Sequence, residues 1–93
     1  MRRRIGVDLD GVLCEGKSWR DSKSVLKVKP IQKMIDKVNK LYKTDFIIIY
    51  TARQNYLISN TLEWLDIHNV HYHAISNHKI PLDYLIESIG EPE

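Results

Sequence analysis

The chain has 93 residues, with 14 Lys+Arg against 12 Asp+Glu and a formal net charge of +2. That excess is too small to argue for nucleic acid as a partner, and no apolar run approaches the ~20 residues of a membrane-spanning helix. The hydrophobic fraction of 43% and charged fraction of 28% are ordinary for a soluble globular chain, and the length suits a single domain over 1–93.

Arg2, Arg3 and Arg4 open the chain but lead straight into a strand pattern with aspartates. An apolar core and a small-residue cleavage site are missing, so no signal peptide is read and a cytoplasmic location is expected. The basic cluster reads as a solvated edge beside the first strand. That strand is predicted over 4–10, with Ile5, Val7 and Leu9 apolar, Asp8 and Asp10 at its end, and Gly11 as a turn. Residues 12–29 show no clean period and are read as a long excursion with a small hairpin; a loop of this length in a compact domain is usually functional or mobile. Cys14 is the sole cysteine, so no internal disulfide forms, and it reads as a buried, inert thiol.

Pro30 is placed to open a helix, where its missing N–H does no harm. Ile31, Met34, Ile35, Val38, Leu41 and Tyr42 recur at helical spacing, with lysines on the other face. Residues 46–50, continuously apolar, suit a strand covered on both faces. A second helix is predicted over 55–68, its stripe formed by Leu57, Ile58, Thr61, Leu62 and Leu65 with Trp64 alongside. Short strands are expected over 72–75 and, after Pro81, over 84–87.

Alternating strands and helices indicate an α/β domain: a three-layer, Rossmann-like arrangement with a short parallel sheet in the order 3-2-1-4. In such sheets ligands sit at the carboxyl ends of the strands. Asp8 and Asp10 end the first strand, Thr51, Ala52 and Arg53 the second, Ser76 and Asn77 the third, with Lys79 shortly after, and Glu87 and Ser88 the fourth. Acids, a hydroxyl and a lysine on one edge are the composition expected around phosphate and a divalent cation.

Asp8-Leu9-Asp10-Gly11 is the strongest local signal. Two carboxylates at i and i+2 leave a strand on the same side and repel unless a cation or a shared proton separates them. Magnesium suits the pair, because it binds through one or two carboxylates and keeps water and phosphate oxygens in its other positions. Gly11 allows a tight turn that brings a backbone N–H near an anion. The bland reading is a metal-free acidic strand end.

Ile5-Gly6-Val7-Asp8-Leu9-Asp10-Gly11-Val12-Leu13 resembles the first motif of the haloacid dehalogenase (HAD) superfamily. Ile47-Ile48-Ile49-Tyr50-Thr51-Ala52-Arg53 resembles its second motif, Lys79 is placed like the third-motif lysine, and Tyr84-Leu85-Ile86-Glu87-Ser88 is placed like the fourth. The likeness covers nearly the whole chain in the correct order, and is greatest to small capless members associated with capsular polysaccharide biosynthesis. It implies a capless HAD fold and a magnesium-dependent phosphatase. Asp8 would be the nucleophile and Asp10 the acid/base. Gly11, Thr51, Ala52, Arg53 and Lys79 would hold the phosphoryl group. Magnesium would be held by Asp8, the Asp10 carbonyl and Glu87. Where the family commonly has two aspartates this chain has Glu87 and Ser88, which implies fewer charged metal ligands; Asp83, four positions earlier, is expected on the wrong side of the sheet.

The implied substrate is a phosphorylated small molecule, with sugar and nucleotide derivatives as candidates. Residues 12–29 are too few for a folded cap, so the site should be open, which suits a bulky substrate or enclosure by a second copy of the chain. Arg53 has a planar fork suited to a substrate anion; its bland reading is a surface arginine opening a loop. His68, His71, His73 and His78 match no zinc spacing, although His78, beside Lys79, could touch substrate. Trp64 reads as helix packing and Trp19 as a residue able to stack over a ligand or a partner. One rival reading is a weak or inactive phosphate-binding module on the same fold. A second, a response-regulator receiver, is disfavoured because its phosphorylated aspartate ends the third strand, not the first.

Overall fold

The computed structural model describes residues 3–16, 22–77 and 84–86. Chain order is β1 (Arg4–Asp8), α1 (Ser22–Val25), α2 (Gln32–Tyr42), β2 (Phe46–Tyr50), a 3-10 turn (Asn55–Leu57) running into α3 (Ile58–Ile67), β3 (Ala74–Ser76) and β4 (Tyr84–Ile86). The four strands form one parallel sheet in the order β3-β2-β1-β4. Ile5, Gly6 and Val7 of β1 and Ile47, Ile48 and Ile49 of β2 are buried in succession, as strands with both faces covered require. Met34, Ile35 and Val38 of α2 and Trp64 and Leu65 of α3 pack into the same core. Among the described residues no helix is long and apolar enough to cross a membrane.

Several boundaries differ from the sequence reading, each for a local reason. The first strand stops at Asp8, so Asp10 lies beyond it. Leu9 still donates its N–H to the Tyr50 carbonyl at 3.0 Å, but its own carbonyl accepts from the N–H groups of Val12, Leu13 and Cys14 at 3.3, 3.0 and 3.2 Å. The backbone therefore winds around that oxygen. Gly11, at φ +87°, takes the left-handed position such a turn needs, and its N–H donates to the Cys14 carbonyl at 2.8 Å.

Helix α2 begins at Gln32, not at Pro30. Pro30 is held in an antiparallel bridge to Cys14, while Glu15 N–H donates to Lys29 at 2.9 Å and Ile31 N–H to Leu13 at 2.8 Å. Among the described residues the ends of the 12–29 segment pair with each other, and the short α1 lies within it. The Trp64 indole donates to the Val28 carbonyl at 2.8 Å, tying this segment to α3.

The predicted second helix divides into the 3-10 turn and α3, and Leu62 of its expected stripe is exposed. Helix α3 ends in a Schellman motif: Asn69 N–H donates to Asp66 at 3.1 Å and Val70 N–H to Leu65 at 2.9 Å. Asn69 takes φ +55° and buried Val70 supplies the apolar contact that accompanies this cap. Strand β3 starts at Ala74, two residues later than expected. His73 explains this: its Nδ1 accepts the Ile47 N–H at 3.0 Å, so a side chain takes the place a ladder carbonyl would have. Its ring stacks on Tyr42 and Phe46, centroids 4.3 and 4.7 Å away. Arg3 is not merely a solvated edge; it reaches Asp45 at 3.0 and 3.2 Å through two nitrogens.

Candidate active site at the carboxyl edge of the sheet

Sheet register sets the site. Asp8 stands opposite Tyr50, and Tyr50 opposite Ser76. The ends of β1, β2 and β3 are therefore level, and the residues that follow them share one edge. Asp8 is partly exposed there. Thr51, the first residue past β2, is buried, and its N–H donates to the Ser76 carbonyl at 3.1 Å. The Thr51 hydroxyl accepts the Arg53 N–H at 3.0 Å, which leaves its own proton to donate. Gly11 and Ala52 are exposed at the same edge.

Arg53 is not the surface side chain of the bland reading: its relative exposure is 3%. Its Nη2 donates to Asp10 Oδ1 at 2.6 Å and its Nε to Asp10 Oδ2 at 3.2 Å. Nη1 donates to Thr61 Oγ1 at 2.8 Å, and that hydroxyl donates to the Leu57 carbonyl at 2.8 Å. The fork thus joins the turn after β1 to the first turns of α3. Asp10 keeps partial access to solvent, its side chain 27% exposed against 2% for Arg53.

Cys14 completes this cluster, with Sγ 3.6 Å from Asp10 Oδ1 and 3.7 Å from Arg53 Nη2. Burial first, and then the neighbouring Asp10 charge, push its thiol up to about 12, against a smaller opposing pull from Arg53. It is buried, as expected. His68, His71 and His73 are all in ring contacts, with Trp64, Tyr42 and the Tyr42–Phe46 pair.

Thr61 was legible in the sequence only as part of the α3 stripe. A hydroxyl at a fully buried helix position was the available signal, since such a group needs a partner. Asn55 was likewise read only as a helix start. With Ile58, Ile75, Ser76 and Asn77 it lines a shallow cleft of about 270 Å³ beyond the end of β3. There Asn77 Nδ2 donates to Asn55 Oδ1 at 3.2 Å.

Lys79, Glu87 and Ser88, together with Trp19, His78 and Asp83, lie outside the described residues. Among the described residues no three His, Cys, Asp or Glu side chains gather as a metal-binding group. The hard oxygen donors at this edge are the Asp8 carboxylate and the backbone carbonyl of Asp10. That donor chemistry fits magnesium, which needs few protein ligands. The Asp10 carboxylate is held in the Arg53 fork.

No family model and no curated protein matches the chain. The chain is similar to a solved structure of a conserved protein from Bacteroides thetaiotaomicron, with a TM-score of 0.73 at 18% identity, covering 100% of this chain and 84% of that one. At that identity the likeness carries the fold and nothing about activity.

Proposed function

We propose that the chain is a magnesium-dependent phosphomonoester hydrolase of the HAD type, acting through an aspartyl-phosphate on Asp8. The observation that carries this reading is the level edge of three parallel strands. It sets a partly exposed Asp8 beside a fixed Asp10 and a hydroxyl, Thr51, on the neighbouring strand end. An Asp8 carboxylate oxygen attacks phosphorus as the bond to the ester oxygen breaks, and Asp10 gives that oxygen a proton. Water then attacks phosphorus, gives its proton to Asp10, and releases phosphate and free Asp8. Thr51 donates to a phosphoryl oxygen, and exposed Gly11 sits where its turn brings backbone close to the anion. Magnesium, held by Asp8 and the Asp10 carbonyl with Glu87 as the expected third ligand, would offset phosphoryl charge.

The test is phosphate release from an aryl phosphate with magnesium, together with acid trapping of a phosphoenzyme, for the parent and Asp8→Asn. Turnover and trapping in the parent and neither in the variant is expected. Equal turnover in both removes the covalent role. A second reading, a phosphate-binding module without turnover, draws on the pairing of Asp10 with Arg53, which occupies the second carboxylate in advance. It requires magnesium-dependent phosphate binding in a parent that hydrolyses nothing.

A further inference from the structure

We infer that Arg53 is a positioning residue: it sets the plane of the Asp10 carboxylate, and it is not a ligand of the substrate's phosphate. The inference rests on the phosphatase reading above and assigns a role inside it. All three side-chain nitrogens of Arg53 are engaged with the protein. Nε and Nη2 take the two oxygens of Asp10, Nη1 takes Thr61 Oγ1, and Nη2 also lies 3.7 Å from the Cys14 sulfur. With 3% exposure, the guanidinium has no open face toward an incoming anion.

The geometry explains why arginine stands here. A carboxylate on a short side chain rotates freely unless both oxygens are held, and a planar fork holds both from a single side chain. Each carboxylate oxygen has more than one lone pair. The fork therefore leaves Asp10 able to exchange a proton on its exposed side. The fork itself is fixed from behind, because Thr61 is tied to the Leu57 carbonyl. Through its main chain the same residue donates to Thr51 Oγ1 at 3.0 Å, a bond that leaves the Thr51 proton for another acceptor. The fork thereby aligns the proton-transfer group in advance of substrate, which is how positioning contributes to rate.

The experiment measures kcat, KM and the inhibition constant of inorganic phosphate, with magnesium, for the parent, Arg53→Lys, Arg53→Ala and Thr61→Val. Each is assayed on an aryl phosphate with a good leaving group and on an alkyl phosphate with a poor one. A misaligned Asp10 matters most where the leaving oxygen needs its proton. The expected loss in kcat is roughly 10- to 100-fold on the alkyl ester, a part of what acid–base catalysis supplies, and several-fold smaller on the aryl ester. The phosphate inhibition constant should stay within about twofold. Thr61→Val, which keeps the charge and removes only the anchor, should show the same pattern more weakly, and with Arg53→Lys it carries the test if Arg53→Ala fails to fold. An inhibition constant raised about tenfold, or equal losses on the two esters, overturns the inference while leaving the phosphatase reading intact. A folded parent without turnover on either ester overturns that reading, and the positioning role with it.

Discussion

The Arg53–Asp10 pair makes a quantitative demand that does not depend on activity. Consider Arg53→Met, which keeps most of the aliphatic stem, alone and combined with Asp10→Asn. Two charge-assisted hydrogen bonds at 2.6 and 3.2 Å join a side chain 2% exposed to one 27% exposed. Breaking a fully buried pair from one side costs about 3–5 kcal/mol, but the freed Asp10 can rehydrate through its exposed quarter. A coupling energy of about 2 kcal/mol is therefore expected in the double-mutant cycle. Arg53→Met alone should cost somewhat more, because it also strips Thr61 Oγ1 of its donor. Urea unfolding followed by tryptophan emission gives the four stabilities, provided that far-UV circular dichroism reports the same transitions. A coupling below about 0.5 kcal/mol would refute the claim that the fork holds Asp10 in the free protein, since additivity is expected only of independent sites.

Four further outcomes follow from the structure. Asp8→Asn should leave the unfolding midpoint nearly unchanged while abolishing phosphoenzyme trapping; a trapped species in the variant would place the nucleophile elsewhere. Phosphate should bind far more weakly after magnesium is chelated, and magnesium more weakly without phosphate, because linkage is reciprocal; equal phosphate affinity by calorimetry with and without chelator contradicts this. The Asp45 carboxyl is held below its usual range, chiefly by the Arg3 hydrogen bonds and against the effect of burial. Its contribution to stability is therefore complete above the ordinary carboxylate range and drains away as the pH falls below about 5; Asp45→Asn should flatten that limb, and parallel pH–stability curves for parent and variant would be inconsistent with it. With the Cys14 thiol pushed up to about 12, about one molecule in ten thousand carries a thiolate at pH 8; iodoacetamide labelling should proceed only on unfolding, and rapid labelling of native protein would show that the cluster opens.

Much of the fold was legible because its signals are local and periodic. The unbroken apolar run of β2 and the helical spacing of Met34, Ile35 and Val38 each correspond to an element whose burial matches. What misled the reading was hydrogen bonding that periodicity does not encode. Leu9 looks like one more strand residue, yet its carbonyl collects three amides and ends the strand. Pro30 looks like a helix start, yet it is engaged by Cys14, sixteen positions earlier. His73 looks like part of β3, yet its ring nitrogen delays the ladder. In each case a contact remote in sequence decided a boundary.

The candidate site divides the same way. Position along the sheet edge could be read from topology, and Asp8, Asp10, Thr51 and Arg53 do come together there. Pairing could not, because a list of residues past the strand ends treats each one as facing the ligand. Two carboxylates and one guanidinium meet at this edge, and the guanidinium is taken by Asp10. The carboxylate proposed as nucleophile is itself an anion, and a phosphate approaching it meets like charge. With the Arg53 guanidinium committed to Asp10, the proposed reaction takes its phosphate-facing positive charge from magnesium held at Asp8 and from Lys79. The dependence on magnesium should therefore be steeper than in a site where the second-strand arginine faces the phosphate. Arg53→Lys cannot relieve it, because a lysine that stays with Asp10 adds no charge for the substrate, and one that leaves Asp10 frees another carboxylate.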